Sequence, residues 1–372
     1  MKIGIFTRKI DGVMGGMEKQ ILLIASRIIE SGNEVTVVSL DTKTPETFFA
    51  RHPEVKFRNV PSRNSDVRAS IREKFDRQLR IFKVIRESKF EVVISFSTGA
   101  LWYSVIPAKL NGAKVILAER TGPSVYAITR ANKYRNLIFL GMRLCDAIAV
   151  QIPSYINAYP RYLHERIKVI PNEVPRYPNV EKYRDVNKIS FAYVGRFCYQ
   201  KQTSKLVEAF IMFHGFHEDS NLTLIGTGEQ LEEINNLIES NKAHNYIKLI
   251  GSTNDVFVEL KGVDVLIHPA IWEGFPNSVA EALAMGIPVA GFNDCEGVRD
   301  LVIDGKTGWL LDRPEDVKSI VDLLSLVMNE RENIAIMSEQ ARKDMEQYSK
   351  EISVKNWQEL ISKFRNQTPQ PS

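Results

Sequence analysis

Residues 268–289 of this 372-residue chain read HPAIWEGFPNSVAEALAMGIPV. The segment joins a strand end, a turn at Gly274, a helix that starts near Asn277 or Ser278, and a second strand. The first amides of a helix have no partner within the helix, and the helix dipole adds partial positive charge there. Two carboxylates, Glu273 and Glu281, flank these amides. The segment therefore predicts an anion site with an acidic group on either side.

The same alternation of strand and helix runs along the whole chain and predicts an α/β fold. Strands are predicted at 2–6, 34–39, 91–96, 114–118, 146–150, 188–194, 221–225, 246–250, 264–268 and 288–291. Helices are predicted at 16–31, 67–88, 101–111, 133–144, 205–216, 229–241 and 278–285. Such alternation favours parallel sheets with right-handed crossovers, and ligands then bind at the carboxyl ends of the strands.

A proline cluster at 171, 175 and 178 divides this pattern into two halves. We therefore predict two doubly wound, Rossmann-like domains that face each other across a cleft. Their bounds are 1–178 and 179–354. Residues 355–372 are predicted to form a helix that returns to the first domain, followed by a disordered tail.

Composition places the chain among ordinary globular proteins, with 44% hydrophobic and 25% charged residues. No apolar run approaches the roughly 18 residues that span a bilayer, and the first residues lack the apolar core of a signal peptide. The three cysteines, Cys145, Cys198 and Cys295, have no metal-ligand spacing and predict no disulfide framework. A cytoplasmic protein without a metal site is expected.

The net charge of +4 conceals a basic first half, because residues 1–178 carry +13 and the remainder −9. Nine cations lie in the stretch from Arg63 to Lys89, which contains the predicted helix 67–88. The apolar stripe of this helix is Val67, Ile71, Phe75, Leu79, Phe82 and Ile85. The favoured interpretation is a surface helix that packs this stripe on the sheet. The alternative is docking on an anionic membrane surface. Nucleic acid is not expected as a partner, because no recognition module is visible.

Two further segments predict parts of the anion site. Gly195, Arg196 and Lys201 follow the strand 188–194, and fixed cations at a strand's carboxyl end would stabilise a departing anion. The glycine loop 11–18, with Gly16, precedes the first helix and is weak support on its own. Glu281 also has a structural interpretation, because Ser278-x-x-Glu281 is a capping-box pattern.

In this order, the motifs resemble those of the family 4 glycosyltransferases of the GT-B fold over nearly the whole chain. The motifs are GGME at 15–18, IPN at 170–172, GR at 195–196 with Lys201, Gly226-x-Gly228, residues 264–269, and Glu273 to Glu281 with seven residues between the two acids. The resemblance implies that the second domain binds a nucleotide sugar and the first an acceptor. It also implies retention of anomeric configuration and no metal ion, and the sequence has no Asp-x-Asp pair.

The resemblance further assigns a role to each motif residue. Glu273 would contact the donor sugar and Glu281 the ribose, while Arg196 and Lys201, beside Gly195, would neutralise the diphosphate. The loop and its amides would come from Gly274, Phe275, Pro276, Asn277 and Ser278. Gly251 would lie near the base, and Gly16 would approach the donor phosphate.

Two positions depart from the family pattern. Glu173 follows Asn172 where many members have glycine. Glu119 and Arg120 follow the strand 114–118 where many members carry a histidine that faces the acceptor. Glu119 would orient or deprotonate the acceptor hydroxyl, or would instead pair with Arg120.

The sequence thus predicts a hexosyltransferase-type glycosyltransferase that uses no cofactor. The donor is a nucleotide sugar, with UDP preferred because UDP is common in the family. The acceptor is a hydroxyl of a glycan or lipid-linked acceptor in cell-surface polysaccharide synthesis, at the inner face of the membrane. The alternatives are a nucleotide-sugar epimerase or hydrolase of the same fold, or a non-catalytic binding partner. A dinucleotide-dependent oxidoreductase is disfavoured, because Gly226-x-Gly228 lacks the third glycine.

Overall fold

A computed structural model of the chain describes residues 1–12, 15–41, 43–60, 70–128, 130–178, 188–253, 255–312 and 316–365. Side chains at 71, 127, 128, 130 and 131 are not described. The predicted tail at 366–372, Arg63, Arg68 and the predicted helix start at Val67 lie outside the described residues.

The first unit contains a parallel sheet of seven strands within the described residues. Its strands are β1 Lys2–Phe6, β2 Glu34–Ser39, β3 Lys56–Asn59, β4 Val92–Phe96, β5 Lys114–Ala118, β6 Ala147–Val150 and β7 Ile167–Val169. Its helices include α1 Gly16–Glu30, α2 Ile71–Ser88, α3 Thr98–Leu110, α4 Val125–Ile128 and α5 Arg135–Met142. The strand order is β3-β2-β1-β4-β5-β6-β7. Every residue of β4 is buried, which is typical of a strand covered on both faces.

The second unit repeats this plan with six parallel strands among the described residues. They are β8 Ile189–Val194, β9 Ser220–Ile225, β10 Ile247–Ile250, β11 Val265–His268, β12 Val289–Phe292 and β13 Gly308–Leu311, in the order β10-β9-β8-β11-β12-β13. The helices are α6 Thr203–His214, α7 Leu231–Ser240, α8 Val256–Glu259, α9 Asn277–Ala284, α10 Glu296–Leu301, α11 Val317–Asn329 and α12 Ile334–Met345. In this sheet the order reverses beside β8, so ligand sites are expected at the carboxyl ends of β8 and β11.

The last helix, α13 (Lys350–Arg365), belongs to the first unit. The division falls after Glu173 and after Ser349, five residues before each predicted boundary. The Val174 amide donates to the carbonyl of Tyr348 at 2.9 Å, which ties residue 174 to the second unit. The Lys350 ammonium lies 3.2 Å from Glu30 of α1, so the chain is already back in the first unit at residue 350.

Several predicted elements differ from the observed ones. The strands β3, β7 and β13 were not expected, and the predicted helix 133–144 is a 3-10 turn, Arg130–Tyr134, followed by the shorter α5. The prediction that the α2 stripe faces the core is wrong for Phe75 and Leu79, which are 64% and 53% exposed. The buried residues are Ile81, Val84 and Ile85 in the second half of the helix.

Candidate active site

The Glu273 carboxylate is the centre of a buried polar cluster in the second unit. The side chain is 9% exposed and lies in the loop after β11. Its Oε1 contacts the Lys201 ammonium directly and lies 3.0 Å from Nε2 of His268. His268, the last residue of β11, is fully buried and stacks on Tyr193 at 6.3 Å between ring centroids. A cation and a histidine thus fix one oxygen of this carboxylate.

The loop after β8 presents two cations at the carboxyl end of the central strand. The Tyr193 hydroxyl donates to the Arg196 carbonyl at 3.0 Å, and this bond fixes the backbone at Arg196. The side chain of Arg196 itself is exposed. The next turn, Tyr199–Lys201, is a 3-10 helix that points Lys201 at Glu273. Burial, together with repulsion from Arg196, lowers the pKa of Lys201 to about 8.

Backbone and side-chain bonds join this loop to the loop after β11. Gln200 Nε2 donates to the Trp272 carbonyl at 2.7 Å, and the Ile271 amide donates to the Gln200 carbonyl at 2.8 Å. The two strand ends are therefore coupled over 72 residues of sequence, and Gln200 was missed because no local pattern marks such a contact.

Close backbone approach explains three glycines around the two loops. A Cβ on Gly226 would collide with the carbonyl of Gly195, and one on Gly228 would collide with Phe197. A Cβ on Gly297, in α10, would meet the Gly274 carbonyl and would lie 3.0 Å from the Glu273 Cβ. Gly297 was not predicted as part of the site, since its role depends only on tertiary packing.

The helix after Glu273 begins at Asn277, so its N-cap lies one residue before Asn277 and two before Ser278, the two predicted caps. Pro276 is the N-cap of α9, and no side chain caps its first turn. The expectation that Asn277 or Ser278 caps the helix is wrong, and so is the capping-box interpretation of Glu281, because Ser278 already lies inside the helix. The N-cap makes no side-chain bond to the first turn, and a helix N-terminus of this kind suits an anion.

Glu281 lies 7% exposed in α9 and faces an aromatic pair. Burial first, and then the nearby Glu281 charge, raises the pKa of Tyr177. Tyr177 stacks on Phe257 with 5.4 Å between ring centroids and 7° between planes. The sequence patterns missed Tyr177 as well, because it stands alone in a proline-rich segment.

The remaining predicted residues of the second unit take different positions. Phe275 is 6% exposed and packs edge-on against Tyr348 at 5.5 Å, so it supports the loop from inside. Gly251 is exposed after the edge strand β10. The structure brings Arg196, Lys201 and Glu273 together, while the binding roles of all these residues stay predictions.

In the first unit, Gly16 is exposed and begins α1, with Gly15 as N-cap and no side-chain cap. Met14 of the same glycine loop lies outside the described residues. The Glu18 carboxylate is 1% exposed, accepts from the Phe48 amide at 2.8 Å, and has its pKa raised by burial. Glu18 thus fixes the loop after β2 beside the N-terminus of α1.

Glu119 is 1% exposed at the carboxyl end of β5. Its Oε2 accepts from the Tyr126 hydroxyl at 2.6 Å, and its Oε1 accepts from the amides of Arg120 and Thr121 at 2.9 Å each. Burial raises the pKa of this carboxyl. These bonds shape the turn after β5, and a direct role of Glu119 toward an acceptor stays a prediction.

The departure at Glu173 has a structural explanation. Its carboxylate accepts hydrogen bonds from both Nε and Nη2 of Arg27 in α1, at 2.6 and 2.7 Å. The pair ties the end of the first unit's main segment to α1 with a bidentate geometry.

No helix among the described residues has both the length and the apolarity to cross a membrane. The same part of the chain contains no cluster of three or more acidic, histidine or cysteine side chains that could hold a metal ion.

Comparison with known proteins matches both halves of the chain to families of sugar-transferring enzymes. Residues 14–175 match the family model described as Glycosyltransferase Family 4, and residues 179–344 match Glycosyl transferases group 1. An uncharacterized glycosyltransferase of Haemophilus influenzae is 24% identical over 97% of this chain and 99% of its own length. The Escherichia coli UDP-Gal:alpha-D-GlcNAc-diphosphoundecaprenol alpha-1,3-galactosyltransferase is 23% identical over 71% of this chain and 73% of its own.

Among solved structures, Anabaena HepE in complex with UDP and glucose superposes with a TM-score of 0.74 at 16% identity, over 99% of this chain and 100% of that one. The two doubly wound units and this superposition show the GT-B fold. The family matches show that the chain is a glycosyltransferase, an enzyme of the transferase class that moves sugars. The chain belongs to the family 4 glycosyltransferases.

Proposed function

We propose that this enzyme transfers a sugar from UDP to a hydroxyl of a lipid-linked or glycan acceptor, with retention of configuration and without a metal ion. The bond between the anomeric carbon and the diphosphate oxygen breaks, and a bond to the acceptor oxygen forms on the same face of the sugar. The acceptor's proton leaves with the nucleoside diphosphate, so the reaction balances without a cofactor.

The observation that carries this proposal is the cluster of Glu273, Lys201 and His268 beside the N-terminus of α9. A nucleoside diphosphate gains negative charge as it leaves, and fixed cations in a buried site stabilise that charge best. Lys201 and Arg196 supply the cations, and the dipole of α9 adds partial positive charge at its N-terminus. Glu273, positioned by Lys201 and His268, is placed to accept hydrogen bonds from sugar hydroxyls.

The choice of donor and acceptor follows the relatives. The name of the Escherichia coli relative specifies a UDP-sugar and a diphosphoundecaprenol acceptor, and HepE was crystallised with UDP. These names support UDP and a lipid-linked acceptor for this chain. They do not favour one sugar.

A nucleotide panel tests the donor. UDP, GDP and ADP are each added in a thermal-shift titration, where a ligand at 100 times its dissociation constant adds roughly 2.7 kcal/mol of stability. We expect UDP to give the largest shift and Lys201→Ala to remove most of it. A larger shift with GDP or ADP would contradict the UDP assignment.

Turnover, stereochemistry and metal use are tested in one transfer assay, with labelled UDP-sugars and bacterial membranes as acceptor. Glu273→Gln and Lys201→Ala should each lower turnover by on the order of 10²-fold without unfolding the protein. Proton NMR of the product should show the donor's anomeric configuration, and EDTA should leave the rate unchanged. Sugar release that does not depend on membranes would instead support a hydrolase.

We further propose that the first unit docks on an anionic membrane surface. The exposed Phe75 and Leu79 stand on α2 beside the exposed cations Arg72, Arg80 and Lys83. Further exposed apolar side chains lie on α3 and α5 and just after α5, namely Ile106, Leu110, Leu137, Leu140 and Leu144. The helix α3 contacts both α2 and α5, so the exposed apolar side chains of the three helices lie on neighbouring surfaces. Apolar side chains among cations suit a lipid surface with negative headgroups.

Vesicle co-sedimentation tests the docking. Binding to phosphatidylglycerol vesicles should fall about tenfold or more for Arg80→Glu with Lys83→Glu, since each basic residue contributes roughly 1 kcal/mol. Phe75→Ser with Leu79→Ser should also weaken binding. The matched control is Met212→Ser with Phe216→Ser, an exposed pair in the second unit. Equal binding to uncharged phosphatidylcholine vesicles would refute the proposal.

A further inference from the structure

Arg120 has an unusual environment for a guanidinium group. It follows Glu119 at the carboxyl end of β5, and its Nη1 donates to Asn172 Oδ1 at 3.0 Å. The group lies over the rings of Phe96 and Trp357, 5.2 and 5.8 Å from their centroids. The hydrogen bond and the two rings hold the guanidinium in one orientation.

The opposite edge of this guanidinium has no hydrogen-bond partner. Nε and Nη2 of Arg120 are buried, and neither finds an acceptor among the described residues. Burial lowers the pKa of Arg120 to about 10, although the nearby Glu119 charge acts to raise it. Buried N–H groups that lack acceptors destabilise a fold, so a natural protein that retains two of them requires an explanation.

Gln151 provides a second unpartnered polar group at the neighbouring strand end. It follows β6, is 3% exposed, and its Oε1 has no donor among the described side chains and amides. β5 and β6 are paired in parallel with Ala118 opposite Ala149. Residues 120 and 151 therefore both lie two positions beyond this pair, at the carboxyl ends of the two strands. These two strand ends thus hold two adjacent N–H donors, on Arg120, and one amide acceptor, on Gln151.

We infer that Arg120 and Gln151 bind an oxyanion carried by the acceptor. Nε and Nη2 of Arg120 each donate a hydrogen bond to one of two oxygens of this anion. The Nε and Nη2 edge of arginine matches two oxygens of a phosphate or a carboxylate. The Gln151 carbonyl accepts a hydrogen bond from a hydroxyl, which a phosphorylated sugar, a polyol phosphate or a sugar acid all carry. The inference rests on the proposed function, because it takes the first unit as the acceptor side.

Calorimetric titration tests this binding on the full-length protein. Glycerol 3-phosphate, inorganic pyrophosphate and glucuronate are the probes, glucose is the neutral control, and saturating UDP occupies the diphosphate site of the second unit. The wild type should bind at least one oxyanion and not glucose. Preference among the probes shows whether the anion is a phosphoryl group or a carboxylate.

Three variants separate a binding role from a structural one. Arg120→Gln should weaken oxyanion binding by about tenfold or more. Arg120→Lys, which keeps the charge but loses the paired N–H edge, should also weaken it and serves if Arg120→Gln does not fold. Lys168→Gln removes an exposed cation from the same sheet and should leave binding unchanged. Circular dichroism establishes that each variant is folded.

The inference would be overturned if no oxyanion binds the wild type, or if the Arg120 variants bind as the wild type does. An equal loss in Lys168→Gln would reduce the effect to general charge and also overturn it. Failure of UDP to bind is a separate result that contradicts the proposed donor. The oxyanion titration is then run on Lys201→Ala, in which a second-unit cation is already removed.

Discussion

The candidate site of the second unit consists of a few side chains whose positions are fixed by contacts between residues far apart in the sequence. Lys201 reaches Glu273 because Gln200 binds the Trp272 carbonyl, and Glu273 stays in place because His268 lies behind it. Each of these side chains lies at or just after the carboxyl end of β8 or β11. The site is therefore a property of two neighbouring strand ends and their loops.

Gly297 tests how closely the loop after β11 must be supported. In Gly297→Ala the new methyl group would meet the Gly274 carbonyl and the Glu273 Cβ, so the loop must shift. We expect UDP-sugar affinity to fall by about tenfold or more, because even small displacements of a positioned carboxylate are costly. The control is Gly215→Ala, where a Cβ meets only the Met212 carbonyl at 3.4 Å. Equal affinities for the two variants, measured by calorimetry, would contradict the support role.

Lys201 makes donor binding depend on pH. Its lowered pKa of about 8 means that the ammonium is present below this pH and lost above it. Since the protonated form attracts the diphosphate, UDP affinity should be highest below pH 8 and should decline as the pH rises through and beyond 8. Lys201→Arg stays charged throughout and should show a flat profile over the same range. Calorimetric titrations from neutral to alkaline pH distinguish the two profiles, and a flat wild-type profile would contradict this role of Lys201.

At the scale of elements, the ends of helices carry information that composition does not. The helix α2 begins with a complete capping box between Ser70 and Glu73, and it ends at Lys89 in the left-handed conformation, with φ 52° and ψ 47°. A side chain with a Cβ is strained in this conformation, whereas glycine is not. The end of the helix therefore stores a small, removable strain.

Lys89→Gly should release that strain and raise the free energy of unfolding by about 0.5–1 kcal/mol. Lys89→Ala is the matched control, because it removes the same exposed charge but keeps the Cβ. Urea denaturation should show a higher midpoint for the glycine variant than for either the alanine variant or the wild type. If the alanine variant is as stable as the glycine variant, the gain comes from removal of the charge and not from relief of backbone strain.

The sequence predicted most strands and helices because long apolar runs and helical periods are local signals. It missed β3, β7 and β13, which are short strands of three or four residues, all three at sheet edges, and their pairing depends on a single neighbouring strand. It placed Phe75 and Leu79 in the core because helical period alone does not say which face meets the sheet. Arg196, Lys201 and Glu273 were predicted together, but the contacts of His268, Gln200 and Gly297 were not, because only the folded chain brings them near Glu273.

At the scale of the whole molecule, the chain crosses between its two units twice. The first crossing follows Glu173, which is held to α1 by Arg27, and the second precedes Lys350, which reaches Glu30. After the second crossing, α13 buries Trp357, Leu360, Ile361 and Phe364 in the same core as α1. The first unit is thus completed by the last helix, and its stability should depend on residues more than 300 positions from α1.

Trp357→Ala tests this dependence. Trp357 is 1% exposed in the core that contains α1, and its truncation should destabilise the first unit by about 3–5 kcal/mol. Hydrogen exchange measured by mass spectrometry should then rise in peptides from α1 and β1 and stay unchanged in β9. The reciprocal control is Trp309→Ala, 1% exposed in the second core, which should raise exchange in β9 and leave α1 protected. Because the two tryptophans lie in different cores, a loss of protection in both units for either variant would show that the units unfold as one, and that α13 does not complete the first unit alone.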